Sequence, residues 1–223
     1  MNAGIVFDLD DTLIDRSDIL AAYAARLWSD FGVAKDAPLR PFVESFLTLE
    51  DDGRASPEDW SARLAAALPR SSLASADIVR HFARHAWSEP KLVPAVAAAL
   101  SRLRAKGVPL GIITNGDALG QRRKLESTGL DRLVDHCIVS GEFGADKPDP
   151  SIFDAMCEAL ELDAARSWFI GDNPVCDVWG AHRAGFRTVW LQKRIAWPDD
   201  YERCHTHVAS SIEVALGIVA GAD

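Results

Sequence analysis

Five short runs along the chain are almost unbroken in apolar residues: "IVF" (5–7), "PLGIIT" (109–114), "HCIVS" (136–140), "SWFIG" (167–171) and "RTVWL" (187–191). None alternates apolar with polar, which is the pattern expected of strands covered on both faces. Helical patterns with clear punctuation lie between them. In "LVPAVAAALSRLRAKG" (92–107), Pro94 stands near the start, Val96, Leu100 and Leu103 share a face, and Gly107 marks the stop. In "KPDPSIFDAMCEALEL" (147–162), Asp149 is the expected N-cap and Pro150 the first helical residue, with Ile152, Phe153, Met156 and Leu160 inward. A further helix over "NPVCDVWGAHRAGF" (173–186) ends at Gly185. Strand alternating with helix at this rhythm predicts right-handed crossovers and an α/β fold with a doubly wound parallel sheet.

One interval breaks the rhythm. Between the first run and "PLGIIT" lie about 100 residues, far more than a crossover needs. They carry helical faces of their own. Leu20, Tyr23, Leu27 and Phe31 share one; Trp60, Leu64 and Leu68 share another, behind Ser56 as cap and Pro57 at the first position; "SADIVRHFARHAW" (75–87) gives a third helix. The spacing predicts an inserted helical subdomain over 16–91 and a core of 1–15 with 92–223. An insertion at that point belongs over the carboxyl ends of the strands, where open α/β sheets bind ligands, so a lid is expected.

Composition narrows the class. The 223 residues are 48% hydrophobic and 26% charged, ordinary globular usage. Lysine and arginine total 24 against 33 acids, a net charge of −9. That argues against nucleic-acid or anionic-membrane partners, which need a basic face. Cys137, Cys157, Cys176 and Cys204 show no paired short spacing and are expected as reduced thiols. With no basic leader and no long uncharged apolar stretch, a cytoplasmic location is expected. Monomer and homodimer both stay open.

The chemistry gathers where the apolar runs end. "FDLDDTLID" sets Asp8, Asp10, Asp11 and Asp15 directly after a buried strand, and like charges crowded there repel one another unless a cation or a reaction uses them. Asp8 and Asp10 are two apart in extended chain and can face the same way. "GIITNGD" ends in Thr114 and Asn115, "GADKPDP" places Lys147 before a helix N-terminus, and "FIGDNPVCD" gives Asp172 and Asp177. Each has a plainer reading as a cap or solvated loop residue. Together they put three acids, a hydroxyl and a lysine on one edge of the sheet.

In that order, "DLDDT" (8–12), Thr114, Lys147 and "GDNPVCD" (171–177) resemble the four motifs of the haloacid dehalogenase-like hydrolase superfamily, in its phosphatase branch with a helical cap after the first strand. The resemblance covers the core and the position of the cap. It implies a Rossmann-like catalytic core and a Mg²⁺-dependent phosphatase acting on a small phosphorylated metabolite, of the sugar phosphate or nucleoside monophosphate class. Asp8 would be the nucleophile that carries an aspartyl-phosphate, and Asp10 the acid and then the base. Mg²⁺ would be held by Asp8, the backbone carbonyl of Asp10, and Asp172. Thr114 and Lys147 would bind the phosphoryl oxygens, with the Asn115 backbone amide beside them. Asp177 would orient Lys147 or touch the metal's water shell, and Thr12 would fix the loop. Asp11 is expected as a turn residue or outward-facing cap, and Asp15 as a solvated hinge.

Three alternatives share the fold: a 2-haloacid dehalogenase, a phosphomutase and a catalytically silent regulatory binder. Asp10 speaks against the first, because a departing halide needs no proton. Other features are read as structural. "CHTH" (204–207) completes no metal site and is expected as a surface loop. "QRRK" (121–124) is expected as a solvated helix face. Trp168 and Trp190 are expected in the core, and Trp28 and Trp60 in helix packing within the insertion.

Overall fold

The computed structural model describes residues 1–51, 55–68, 73–87, 92 and 94–221. They fall into two units, Met1–Asp15 with Lys91–Asp223, and Arg16–Pro90. Lys91, the expected end of the insertion, lies outside the described residues. In chain order the elements are β1 (Ile5–Phe7), α1 (Arg16–Asp30), α2 (Leu39–Glu50), α3 (Pro57–Ala66), α4 (Ser75–His85) and α5 (Pro94–Ala105). Next come β2 (Leu110–Thr114), α6 (Ala118–Thr128), α7 (Leu130–Leu133), β3 (His136–Val139), α8 (Ser140–Phe143) and α9 (Pro150–Leu160). The chain closes with β4 (Trp168–Gly171), α10 (Gly180–Arg183), β5 (Arg187–Leu191), β6 (His207–Ala209) and α11 (Ile212–Ala220). No helix among the described residues is long and apolar enough to cross a membrane.

The first unit is built on one parallel sheet of six strands, ordered β3-β2-β1-β4-β5-β6. Every residue of β1, β2 and β4 is buried, as their continuous apolar runs require. From β1 the chain works outward through β2 to β3 on one side, and through β4 and β5 to β6 on the other. The direction reverses between β1 and β4, so the carboxyl ends there open a crevice with no crossover above it. Asp149 caps α9 by accepting from the Ser151 N–H, with Pro150 at the first position. Its inward residues Ile152, Phe153 and Met156 pack with Val6, Ile113 and Phe169 from three neighbouring strands. All six are fully buried.

The sheet holds one strand more than the apolar runs predict. In "CHTH", expected as a surface loop, residues 204–206 are loop, while His207 opens β6 in a parallel pairing of Val189 to Leu191 with His207 to Ala209. An edge strand of three residues with only Ala209 buried leaves too short a pattern to detect. The helix expected over 173–186 also differs. It begins as a wide π-helical turn, Pro174–Trp179, before narrowing into α10. The Val178 N–H reaches back five residues to the Asn173 carbonyl at 3.2 Å, while the Asn173 side chain accepts from the Val175 and Cys176 N–H groups. Gly185, the expected stop, has a φ of 92°.

The second unit has its own core, in which Leu20, Tyr23, Leu27, Phe46, Leu64 and Ile78 are buried together. Ser56 caps α3 with Pro57 behind it, as expected. Trp60 is 1% exposed and meets the rings of Phe46 and Phe82 edge-on, at 5.1 and 5.2 Å between centroids. The half-buried Trp28 donates its indole N–H to the Ala37 carbonyl at 2.8 Å. Both tryptophans are packing residues here, as are the buried Trp168 and Trp190 in the first unit. Replacing the ring that joins α2, α3 and α4 leaves a cavity. Trp60→Ala is expected to lower stability by about 3–5 kcal/mol, read as a reduced urea midpoint; an unchanged midpoint would show that this ring does not hold the unit together.

Candidate active site

Asp8 directly follows β1 and Asp172 directly follows β4, the two strands flanking the switch point. The Asp8 N–H still pairs with the Ile170 carbonyl at 2.9 Å, so the residue is held in register by the sheet. Lys147 reaches this point from the loop before α9. Its ammonium donates to Asp8 Oδ1 at 2.8 Å, Asp177 Oδ1 at 2.6 Å and the Ile113 carbonyl at 2.8 Å. All three donors of the ammonium are thereby used, and Lys147 is only 3% exposed. The other oxygen of Asp177 accepts from the Asn173 N–H at 2.9 Å. Asp177 can approach this closely because residue 171 is glycine. A Cβ there would lie 2.5 Å from Asp177 Cβ, a distance real Cβ atoms do not show.

The charges do not balance. Asp8, Asp172 and Asp177 present carboxylate oxygens within 4.8 Å of one another, all buried. Burial pushes the Asp8 carboxyl up to about 7, with Asp177 and Asp10 adding to the effect and Lys147 opposing it. Burial, then Asp8, Asp177 and Asp11, push Asp172 up to about 9. Lys147 is raised: burial is its largest influence and works the other way, but Asp177 and Asp8 outweigh it. Among the described residues no donor or cation engages the Asp172 carboxylate. An unpaired buried carboxylate beside a second one, both hard oxygen donors, fits a hard divalent cation such as Mg²⁺. Asp177 belongs to this cluster by distance, and its two oxygens accept from the Lys147 ammonium and the Asn173 N–H.

Thr114 ends β2 and is 1% exposed. Asn115 follows it, and its side chain ties the neighbouring loop: Oδ1 accepts from the Lys147 N–H at 2.8 Å and Nδ2 donates to the Lys147 carbonyl at 2.9 Å. This pair of bonds fixes the backbone from which Lys147 extends. Asp10 is hydrogen-bonded by two residues of helix α6. In "QRRK", expected as a solvated face, Gln121 and Lys124 are each 3% exposed. Lys124 Nζ lies 2.9 and 2.7 Å from the two Asp10 oxygens, and Gln121 Nε2 lies 3.0 Å from Oδ2. Gln121, Lys124, Leu125 and Thr128 form one stripe on α6 at i, i+3, i+4 and i+7. The apolar Leu125 on that stripe was the signal that this face turns inward.

The remaining acids of the first loop take lesser places. Asp11 is a turn residue with φ 56°, a conformation Asp tolerates better than most. It pairs with Arg194 at 2.8 Å and its side chain is 14% exposed, so it is not outward-facing. Asp15 is exposed. The loop itself is closed by main-chain bonds, the N–H groups of Thr12, Leu13 and Ile14 all converging on the Leu9 carbonyl. The buried Thr12 hydroxyl finds no hydrogen-bond partner among the described residues, so it is the backbone that holds the turn. The four cysteines are free thiols, and burial raises Cys137, Cys157 and Cys176 to about 11.

Acids gathered at the switch point of a parallel sheet, around one buried lysine, make the chain a Rossmann-like α/β protein with its site at the carboxyl ends of the strands. More narrowly, it belongs to the haloacid dehalogenase-like hydrolases, whose family profile matches residues 3–185. Glyceraldehyde 3-phosphate phosphatase of Pyrococcus abyssi is 30% identical over 194 residues, covering 84% of this chain and 80% of that one. Phosphoserine phosphatase of Thermus thermophilus is 28% identical over 229 residues, covering 89% and 91%. Among solved structures, the HAD-hydrolase YfnB of Bacillus subtilis, bound to magnesium, matches across 98% of both chains with a TM-score of 0.76. At 23% identity that likeness is one of fold.

The raised carboxyls give a stability signature with a definite sign. Asp8 and Asp172 sit at about 7 and about 9 in place of the ordinary 3.8. Above 3.8 the unfolded chain has released protons that the folded, metal-free protein still holds, so stability falls as pH rises across that window. In EDTA the melting temperature is expected to drop between about pH 5 and about pH 8. Added Mg²⁺ should raise it by an increment that grows with pH, since the cation competes with those protons. An increment equal at both ends of the range would contradict the charge account.

Proposed function

We propose that the chain is a phosphoric monoester hydrolase, a Mg²⁺-dependent phosphatase for a small phosphorylated metabolite of the sugar phosphate or nucleoside monophosphate class. The observation that carries this reading is the Lys147 ammonium seated between Asp8 and Asp177, at 2.8 and 2.6 Å, beside the end of the central strand. The two relatives above, named as phosphatases of small phosphate esters, support the same reaction class. Substrate choice is the role proposed for the inserted helical unit, the one large part of the chain without any of these residues.

In this reading Asp8 attacks phosphorus. Its Oδ1 is engaged by Lys147, which leaves Oδ2 to form the new bond. The ester P–O bond breaks as the Oδ–P bond forms, and Asp10 gives a proton to the departing oxygen. Asp10 then takes a proton from the water that attacks the aspartyl-phosphate, releasing inorganic phosphate and restoring Asp8. The Thr114 hydroxyl and the Asn115 N–H donate to the phosphoryl oxygens, while the Lys147 ammonium, its three donors held by Asp8, Asp177 and the Ile113 carbonyl, offsets their charge at short range. Asp8, Asp172 and the Asp10 backbone carbonyl are the proposed ligands of Mg²⁺, which when bound offsets the negative charge of acids and phosphoryl oxygens alike.

The dehalogenase alternative gives Asp10 no proton to transfer, because halide departs without one. Para-nitrophenyl phosphate and a panel of phosphorylated metabolites, with and without EDTA, separate the readings by product: inorganic phosphate, halide or an isomerised ester. Metal-dependent release of inorganic phosphate is expected. A folded sample without metal-dependent turnover on any of them would favour the silent binder. Lys147→Ala should lower kcat by about two to three orders of magnitude, the scale for losing one preorganised charge donor. It should also cost about 3–5 kcal/mol of stability, because two buried acids lose their partner. Near-normal turnover in this variant would show that the phosphate cradle lies elsewhere.

A further inference from the structure

Helix α6 contributes two buried polar side chains that are neither nucleophile, acid, phosphate donor nor metal ligand in the reading above. Gln121 Nε2 faces three oxygens: Asp10 Oδ2 at 3.0 Å, the Asn115 carbonyl at 3.1 Å, and the Thr114 hydroxyl, a short contact. An amide nitrogen only donates, and a carboxylate and a backbone carbonyl only accept. Two of the three neighbours therefore demand that the nitrogen, and not the amide oxygen, points inward. The third is then constrained in turn. The nitrogen has two hydrogens for three oxygens, so one is shared, and because it cannot accept, the Thr114 hydroxyl must send its own proton elsewhere. Lys124, one turn along the same face, holds both oxygens of Asp10.

The placement is built into the local backbone. Asp117 caps α6 by accepting from the Gly120 N–H at 2.8 Å. Gly116 has φ 143° and lies against the Gln121 stem, where a Cβ would meet Cγ and Cδ at 3.1 Å. A larger residue at 116 would press the amide out of place. Gln121 and Lys124 are both 3% exposed, so neither is a surface residue that swings in by chance. Burying an ammonium and an amide in this way costs free energy that packing alone would not return.

Resting on the phosphatase reading, we propose that Gln121 and Lys124 are positioning residues that preset two catalytic groups at once. Gln121 forces the Thr114 hydroxyl to donate towards the phosphoryl group, and Gln121 with Lys124 fixes the direction of the Asp10 carboxylate. One face of one helix thus couples phosphate binding to proton transfer, and both groups are set before substrate arrives.

The test is steady-state kinetics of the full chain with Mg²⁺ on para-nitrophenyl phosphate and phenyl phosphate, with inorganic phosphate as competing ligand. Gln121→Glu keeps the size of the side chain but replaces the donor by an acceptor. It should lower kcat/KM about 100-fold, the scale for misplacing a reacting group, and weaken inhibition by inorganic phosphate about tenfold. In a Thr114→Val background the same substitution should cost clearly less, because the two act through one hydroxyl. Lys124→Met should slow phenyl phosphate about tenfold more than para-nitrophenyl phosphate, since only the poorer leaving group needs a well-held acid. Gln121→Met serves the same comparison if the glutamate variant does not fold. Equal losses on both esters, with full additivity at Thr114, mean packing alone and overturn the proposal. Asp8→Asn run in parallel separates the layers: if it is inactive while the α6 variants match wild type, only the positioning role fails. If it turns over like wild type, the phosphatase reading fails and the positioning role with it.

Discussion

A buried ammonium held between two buried carboxylates is the constraint on which this site depends. Lys147 satisfies Asp8 and Asp177 with ion pairs of 2.8 and 2.6 Å in a place water barely reaches. Breaking such a set by removing one member leaves charge stranded in low dielectric, at a cost of about 3–5 kcal/mol. One lysine does not neutralise the cluster, because no side chain among the described residues forms an ion pair with Asp172, whose carboxyl is driven up to about 9 by burial first. Such an arrangement is poor as a means of stabilising a fold. In the proposed reading it is a seat for a divalent cation, which offsets the excess negative charge so that an anionic phosphoryl group can approach.

Backbone devices deliver these side chains to one point. The reversal of strand order between β1 and β4 opens the crevice. The wide turn at Pro174–Trp179 brings Asp177 back against Gly171, and the bonds from Asn115 hold the Lys147 loop beside β2. Helix α6 then brings Gln121 and Lys124 to Asp10 and Thr114. The acids and the lysine are therefore set by the rigid sheet and its immediate loops, and little reorganisation is left for the reaction itself.

The apolar runs made β1 to β5 legible because strands buried on both faces leave no alternation to confuse. The caps at Ser56 and Asp149, each followed by proline, likewise located the first residues of α3 and α9. Legibility failed where the signal was short or mixed. The edge strand β6 has three residues and one buried side chain. Helix α6 hides its inward face because its buried stripe carries glutamine and lysine, and the charged run Arg122, Arg123, Lys124 straddles both faces. Charge type says little about direction; only the spacing to Leu125 marks it. The π turn was invisible for a different reason, since it depends on which carbonyl the Val178 N–H selects and not on composition.

The central claim is that Asp8 itself receives the phosphoryl group. Rapid acid quench within the first turnover of an aryl phosphate, followed by peptide mapping, tests it directly. The account predicts phosphorus bound through an acyl linkage to the peptide containing Asp8, removable with hydroxylamine. Sustained hydrolysis with no phosphorus on that peptide, or with phosphorus on a different side chain, would contradict it.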